Sequence, residues 1–294
     1  MLKRLGLFLL TNFLVIFTVG IILAFVLPAL GINLEGITGL AIMCGVFGMV
    51  GAFISLAISR WMAKKAYKIR LIQANEQNYN LREIYEMVSR LSKKAGLPAV
   101  PEVGIYESPE PNAFATGPSK KRSLVAFSTG LLNSMDKSEA EAVAGHEIAH
   151  IANGDMVTMT LLTGIVNALV MFLARIIAMA VNNFLKSDDG EGGLGFFAYF
   201  LIVQLLQTVF MIFATIPIAA FSRYREYKAD AGSAKITSPR AMANALKALA
   251  SGKQIKTKED SFAIAKISSN RKVSLWSTHP SIEDRVARLE KMRF

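Results

Sequence analysis

Four long stretches without a charged residue dominate the pattern of hydrophobic and polar positions. They are Leu5–Leu30, Gly36–Ser59, Met156–Ala174 and Leu194–Ser222. A helix that crosses a bilayer needs about 20 predominantly apolar residues, so the pattern predicts four membrane-spanning helices. The last two stretches also contain polar residues. A buried helical hairpin in a soluble core is therefore the alternative for that pair, although the fourth stretch is long for a core helix.

In the segment between the second and third stretches, apolar and polar residues alternate as they do in a folded α+β unit. A helix is predicted from Asn80, as N-cap, to Ala95. A second helix is predicted to begin near Ser138, with Glu141 as its capping-box partner, and to continue to Asn153. Between these helices, three runs bounded by proline and glycine predict short strands, at Glu102–Tyr106, Asn112–Thr116 and Leu124–Ser128.

The chain after the fourth stretch is predicted to add two helices. One begins at Pro239 and ends near Gly252, and the other covers Pro280–Met292. The polar residues 253–274 between them predict a mobile loop. The predicted fold class is thus α+β: a multi-span helical membrane protein with a second domain that contains a small sheet. Its predicted parts are two transmembrane helices (1–59), two segments of that domain (60–155 and 223–294) and a transmembrane hairpin (156–222).

The distribution of basic residues predicts how the four helices are oriented in the membrane. The net charge is +11, and basic residues follow the second and fourth stretches directly, whereas the connections 32–35 and 182–193 carry only one. The positive-inside rule then places both segments of the sheet-containing domain in the cytoplasm. Because topology accounts for the basic residues and no nucleic-acid-binding motif is present, no nucleic-acid partner is predicted. The single cysteine excludes an internal disulfide.

The candidate chemistry begins with His146-Glu147-Ile148-Ala149-His150 on a predicted helix. Residues four apart lie on one helical face, so the two imidazoles can share one Zn²⁺. Glu147 flanks the same position and can take a proton from an attacking water. The chain has three histidines in all, and two of them are in this motif. Small residues surround the motif and allow another element to approach it closely.

A catalytic zinc takes a third protein ligand and keeps one position open, and Glu226 is the candidate for that ligand. It lies far along the chain, but a transmembrane hairpin would return it to the face that carries the histidines. Asp230, one helical turn later, can accept a hydrogen bond from a ligand histidine. Asn153 and Asp155 follow the motif closely, and they are expected either to make such a contact or to end the helix. Arg285 is expected to pair with Asp230 or with a substrate carboxylate.

Four sequence pieces together resemble the HtpX-type membrane peptidases, relatives of the CAAX prenyl proteases. In chain order they are Asn112-Ala113-Phe114-Ala115-Thr116-Gly117, His146–His150 with Ile151–Asp155, Ser222–Asp230, and Ser277-Thr278-His279-Pro280-Ser281. The resemblance implies one zinc ion per chain, bound by His146, His150 and Glu226, with Glu147 as catalytic base. It also draws His279 to the site, where it would stabilise an oxyanion.

The same resemblance implies a zinc metalloendopeptidase in a bacterial inner membrane, and it makes the sheet-containing cytoplasmic domain (60–155 and 223–294) a zincin-like protease domain. Its substrates would be membrane or unfolded proteins, cleaved at the cytoplasmic face for quality control. Asn112, Ala113, Phe114 and Ala115 would form an edge strand that binds substrate, or else an internal strand of the sheet. The alternatives are a narrow-specificity prenyl-protein protease, and a membrane scaffold or holdase whose metal site is structural.

Overall fold

The structure is a computed structural model that describes residues 2–186, 192–251 and 275–293. The predicted loop 253–274 therefore lies outside the described residues. Two compact units are present: Met1–Ser55 with Thr160–Ile218, and Leu56–Met159 with Ala219–Phe294. We call them the helical unit and the catalytic unit.

Long apolar helices account for all four uncharged stretches. Within the described residues, four helices are long and apolar enough to cross a membrane, and they begin or end close to the predicted limits. Their bounds are α1 (Leu2–Ile21), extended by a π-turn (Ile22–Val26) and α2 (Leu27–Ala29), then α3 (Gly36–Ala66), α7 (Asp155–Phe184) and α8 (Phe196–Ile236). The predicted multi-span helical class is confirmed.

Helices α3 and α7 approach closely in the helical unit because glycine lies at their contact. A Cβ atom on Gly48 would lie 2.5 Å from the carbonyl oxygen of Gly164 and 2.9 Å from the Cβ of Ala168. A Cβ on Gly164 would lie 2.9 Å from the Met49 sulfur. Small residues let helix backbones pack at this distance, which is a common contact between membrane helices.

The catalytic unit contains a four-stranded mixed sheet in the order β1-β2-β4-β3. Its strands are β1 (Arg70–Ile72), β2 (Glu102–Tyr106), β3 (Ala113–Ser119) and β4 (Arg122–Ser128). Strand β2 is parallel to β4 and antiparallel to β1, and β3 is antiparallel to β4. The three predicted strands are found, and the short β1 was missed because three residues carry too little alternation to detect.

The remaining helices cover the sheet and form one apolar core. They are α4 (Tyr79–Lys94), α5 (Thr129–Ser134), α6 (Lys137–Asn153), α9 (Pro239–Ser251) and α10 (Ile282–Glu290). Helix α6 packs against α4, α9 and the sheet. Val88, Leu91, Phe127, Ile148 and Leu246 are fully buried there. This burial fixes the position of the helix that carries both motif histidines.

Two predicted helix starts are wrong, each by two residues. Helix α4 is capped by Asn78, whose side chain accepts from the backbone N–H of Leu81, and not by Asn80. Helix α6 is capped by Asp136, which forms a capping box with Glu139. The predicted pair, Ser138 and Glu141, fits the same sequence pattern two residues later. Both true caps satisfy backbone donors that the first helical turn leaves without partners.

Strand β3 lies at an edge of the sheet, and its pairing with β4 is irregular near one end. Gly117 has a φ of 144°, and the pairing with β4 shifts register between Thr116 and Ser119. A Cβ on Gly117 would lie 2.3 Å from the carbonyl oxygen of Arg122, so glycine is required there. At the other end, the buried Ser128 hydroxyl accepts from the backbone N–H of Asn112 at 2.9 Å.

Candidate metal centre and active site

The His-Glu-x-x-His motif lies within α6, where helix geometry brings its two imidazoles together. Their ring centroids are 4.6 Å apart. His146 and Glu147 are buried, and His150 is partly exposed. A site that is dry on one side and open on the other can hold a reactive group and still admit a substrate.

Glycines allow the last part of α8 to run directly against α6. A Cβ on Gly145 would lie 2.8 Å from the Ser233 hydroxyl oxygen. A Cβ on Gly232 would lie 2.6 Å from the Cβ atom of Ala149. The Ser233 hydroxyl also donates to the carbonyl oxygen of Ala142 at 2.6 Å. The close approach predicted from the small residues is therefore found. It brings the carboxylate of Glu226 to the histidines.

Three side chains, those of His146, His150 and Glu226, converge at this point. The Nε2 atoms of His146 and His150 are 3.0 Å apart, and Glu226 oxygens lie 3.5 Å from the first and 3.4 Å from the second. Two ligand atoms bound to one tetrahedral zinc at 2.0–2.1 Å are about 3.3 Å apart. The spacing therefore fits a single metal ion. Within the described residues, these three form a cluster able to hold one.

Carboxylates on the far side of each ring orient the histidines toward this point. Nδ1 of His150 lies 2.6 Å from Asp155 Oδ2, and Nδ1 of His146 lies 3.0 Å from Asp230 Oδ1, although that contact is not well aligned. A carboxylate beside Nδ1 holds the proton there and leaves the Nε2 lone pair free. The Nε2 lone pairs of the two histidines then face each other and the Glu226 carboxylate. A cation bound between them would remove the electrostatic repulsion among these groups.

The charges around the histidines have the same consequence. Burial lowers the pKa of His150, but the carboxylates of Asp155 and Glu226 outweigh it and raise that pKa to about 10. Burial also lowers the pKa of His146, but the carboxylates of Asp230 and Glu226 outweigh burial and raise that pKa above its usual value. A site that attracts protons so strongly also attracts a divalent cation, which releases those protons when it binds.

Arg285 on α10 completes the buried charge cluster behind the ligands. Its Nε and Nη2 atoms donate to the two oxygens of Asp230 at 2.8 and 2.6 Å, and its Nη1 lies 3.5 Å from Glu226. Of the two partners expected for Arg285, Asp230 is the one found. The planar guanidinium matches both carboxylate oxygens, which fixes Asp230 beside His146.

Glu147 faces the same site from the adjacent position on α6. Burial raises the pKa of its carboxyl group, and the nearby histidines oppose that shift. The backbone of Ala115 on the edge strand also opposes the shift. A carboxyl group whose pKa is raised by burial binds a proton more readily than a free one, as suits a general base. Helix α6, which carries Glu147, packs against strand β3.

His279 lies at the opposite side of Glu226, with its Nδ1 atom 3.2 Å from Oε2. Its segment is held to α8 by Arg223, whose Nη1 donates to the carbonyl oxygens of Leu275 at 3.2 Å and Ser277 at 2.6 Å. The structure thus brings His279 to the cluster. Its contact is with the ligand Glu226, and it is not among the three groups that converge on the metal position.

Two predicted site residues require correction. Asn153 is exposed at the end of α6, and the contact with His150 is made by Asp155 instead. Gly154 explains the exchange, because its φ of 74° ends α6 and turns the chain so that the first residue of α7 returns to the histidine. Asn112 precedes β3, whereas Ala113, Phe114 and Ala115 belong to the strand.

Four apolar helices, together with a metal-binding cluster on a His-Glu-x-x-His helix, define a membrane metalloprotease. The model of Peptidase family M48 matches residues 78–293. The chain belongs to this family. It is 45% identical to "Protease HtpX homolog" of Bacillus pumilus over 299 residues, which cover 98% of this chain and 99% of that protein. It is 44% identical to "Protease HtpX" of Idiomarina loihiensis over 292 residues, covering 99% and 100%.

A solved structure supports the fold independently. The crystal structure of S. mikatae Ste24p matches with a TM-score of 0.65 at 17% identity, covering 99% of this chain and 67% of that one. The predicted resemblance and fold class are thereby confirmed. Membership in a peptidase family disfavours the scaffold alternative, and the four apolar helices disfavour a soluble hairpin.

Proposed function

We propose that this membrane metalloprotease is a zinc endopeptidase that cleaves membrane or misfolded proteins at the cytoplasmic face of a bacterial inner membrane, as part of protein quality control. Its protease domain would consist of residues 60–155 and 223–294, with one zinc ion per chain. The observation that carries the proposal is the buried Glu147 beside three convergent donor atoms. A structural zinc site would need four ligands and no base.

The donor set fits zinc. His146, His150 and Glu226 would hold the ion, and two imidazoles with one carboxylate are a common set for catalytic zinc. Bound zinc would supply Lewis-acid polarisation of the scissile carbonyl. Glu147 would take a proton from the attacking water and return it to the leaving amine. Asp155 and Asp230 would hold the histidine rings, and His279 would donate to the developing oxyanion.

The edge strand supports a broad substrate range. An extended peptide can pair with the outer edge of β3 through main-chain hydrogen bonds, which recognise backbone and not side chains. Ala113, Phe114 and Ala115 would form that edge, and Ala115 also contacts the proposed base. Such a site accepts any segment that can become extended. Misfolded proteins and loose segments of membrane proteins meet that condition.

The cytoplasmic orientation is supported by the basic residues that follow the second and fourth apolar stretches. Arg60, Lys64 and Arg223 belong to the same compact unit as the motif. Positive residues are retained in the cytoplasm during membrane insertion. The lone cysteine gives a clean test, because Cys44→Ser removes the only thiol. In that background, Lys137→Cys should react with an impermeant maleimide in inverted vesicles and stay unlabelled in intact cells.

The catalytic proposal is tested by zinc content and casein cleavage in detergent for wild type, Glu147→Gln and Glu141→Gln. The last variant is a matched control, since Glu141 lies on the same helix and pairs with Arg90 at 2.9 Å, away from the ligands. All three should bind one zinc per chain, and only Glu147→Gln should be inactive. An active Glu147→Gln would overturn the assignment of the base. A zinc-loaded wild type that leaves casein intact would favour the prenyl-protein alternative.

A further inference from the structure

Two large apolar side chains are exposed on the segment that leads to His279. Leu275 retains 59% of its accessible surface and Trp276 retains 50%. Exposed apolar neighbours of this size are unfavourable in water, because the transfer of apolar surface out of water is favourable. The position of the segment indicates what covers it.

Arg223 determines that position. It donates hydrogen bonds to the backbone carbonyl oxygens of Leu275 and Ser277. In the sequence, Arg223 is the first charged residue after the 29 uncharged residues Leu194–Ser222. Since helix α8 is continuous through this point, Arg223 marks where its apolar stretch ends. The exposed pair is therefore held beside the residue at which the apolar stretch of α8 ends, and a membrane-spanning helix would meet the lipid headgroups at such a residue.

The neighbouring surface of α8 has the same interfacial character. Tyr224 is 53% exposed, and the Nζ atom of Lys228 lies 4.8 Å from its ring centroid. Tryptophan and tyrosine concentrate at membrane interfaces, where the ring contacts acyl chains and its polar atom stays hydrated. Basic residues beside them attract anionic headgroups. An exposed tryptophan and an exposed tyrosine with basic residues beside the end of an apolar helical stretch match the composition of a membrane interface.

We propose that Leu275 and Trp276 insert into the headgroup–acyl boundary of the leaflet nearest the metal site. There they act as a lipid anchor for the segment that carries His279. The bilayer would supply the apolar cover, and Arg223 would connect the anchor to α8. The inference rests on the four membrane-spanning helices and not on the identity of the substrate. The rival occupant of the same surface is an apolar stretch of a protein substrate.

The chain has two tryptophans, Trp61 and Trp276, which makes the test direct. The full-length Trp61→Phe protein, carrying Glu147→Gln to prevent self-digestion, is placed in nanodiscs with and without lipids brominated near the headgroup. Bromine quenches only a fluorophore that contacts lipid. We expect the emission of Trp276 to fall roughly twofold or more, and to lie at shorter wavelength than that of an exposed indole. The matched control is Tyr79→Trp in a chain lacking both native tryptophans, since Tyr79 is 65% exposed on α4.

Three outcomes decide the matter. Quenching of Trp276 well above that of the Tyr79→Trp control supports the anchor. Equal quenching, together with equal access to aqueous acrylamide, overturns it. The anchor is also overturned if brominated lipids do not quench Trp276 and its emission shifts when casein is added. That result would indicate a substrate contact. Arg223→Gln should reduce the quenching, because the tether is lost, whereas Arg223→Lys should retain part of it. None of these readouts depends on peptidase activity, so failure of the anchor and failure of the proposed protease remain distinguishable.

Discussion

Arg285→Met is the substitution from which the structure predicts the largest loss of stability. Arg285 is 1% exposed, and its guanidinium forms two hydrogen bonds with Asp230 and a 3.5 Å ion pair with Glu226. Methionine has a similar length and no charge. The substitution would therefore leave the Asp230 carboxylate buried and without its cation, at 2% exposure.

The cost follows from that burial. Removing one partner of a buried ion pair destabilises a protein by about 3–5 kcal/mol, because the remaining charge is neither hydrated nor neutralised. In a unit of 150–250 residues, each kcal/mol lowers the melting temperature by about 2–4 °C. The expected decrease is thus roughly 6–20 °C. Arg285→Lys restores the charge without the two-pronged geometry, so its melting temperature should lie between those of Arg285→Met and the parent protein.

Arg288→Met is the matched control for this measurement. Arg288 lies one turn later on α10, is exposed, and stacks on Tyr227 at 3.7 Å. Loss of an exposed cation–π contact costs about 0.5–1 kcal/mol, or roughly 1–4 °C. Melting is followed in detergent by intrinsic fluorescence, with every variant in the zinc-loaded Glu147→Gln background. If Arg285→Met and Arg288→Met melt together, the buried pair does not contribute as the structure indicates.

Two further predictions concern helix packing and the metal ligands. Gly48→Leu should abolish monodisperse protein in size-exclusion chromatography, since its side chain would collide with Gly164, whereas Gly45→Leu should purify normally because nothing lies within 4 Å of a Cβ there. Asp155→Ala should weaken zinc binding about 10–100-fold in chelator competition, because His150 loses the acceptor that orients its ring. Asn153→Ala is the control, and an equal loss of affinity there would refute the assignment.

Features that depend on helix geometry alone could be predicted from the sequence. The spacing of His146 and His150 places them on one face wherever the helix lies. The uncharged stretches give the starts of the long helices to within three residues, although α3, α7 and α8 continue well beyond the ends of their stretches. Glu226 and Asp230 could be placed near the histidines because a transmembrane hairpin must return to its starting face. Each of these inferences follows from a fixed rise, period or direction of the chain.

The start of α6 could not be chosen by pattern alone, because two capping boxes overlap. Asp136 with Glu139 and Ser138 with Glu141 have the same spacing. The observed frame places Met135 before the cap and Ala140 four residues into the helix, and both are buried in the core. Apolar burial on either side of the cap selects the frame. That information lies in the tertiary packing and not in the motif.

Asp155 illustrates a second limit, since its role depends on a single left-handed residue. Helical periodicity from α6 would direct positions beyond Asn153 along the same axis. Gly154 instead ends the helix and begins α7, so that Asp155 returns to within 2.6 Å of His150. A glycine after a helix predicts a stop. It does not give the direction in which the next helix leaves.

The charge balance of the centre connects these elements to the metal. Four carboxyl groups are buried around the histidines, those of Glu147, Asp155, Glu226 and Asp230, whereas Arg285 is the only lysine or arginine buried to the same degree in the described part of the chain. Buried carboxylates without countercharge are strongly destabilising. Protons on the imidazoles or a divalent cation must supply the difference. A cation at the point where His146, His150 and Glu226 converge would therefore stabilise the folded protein, because it neutralises the same buried carboxylates that bind it.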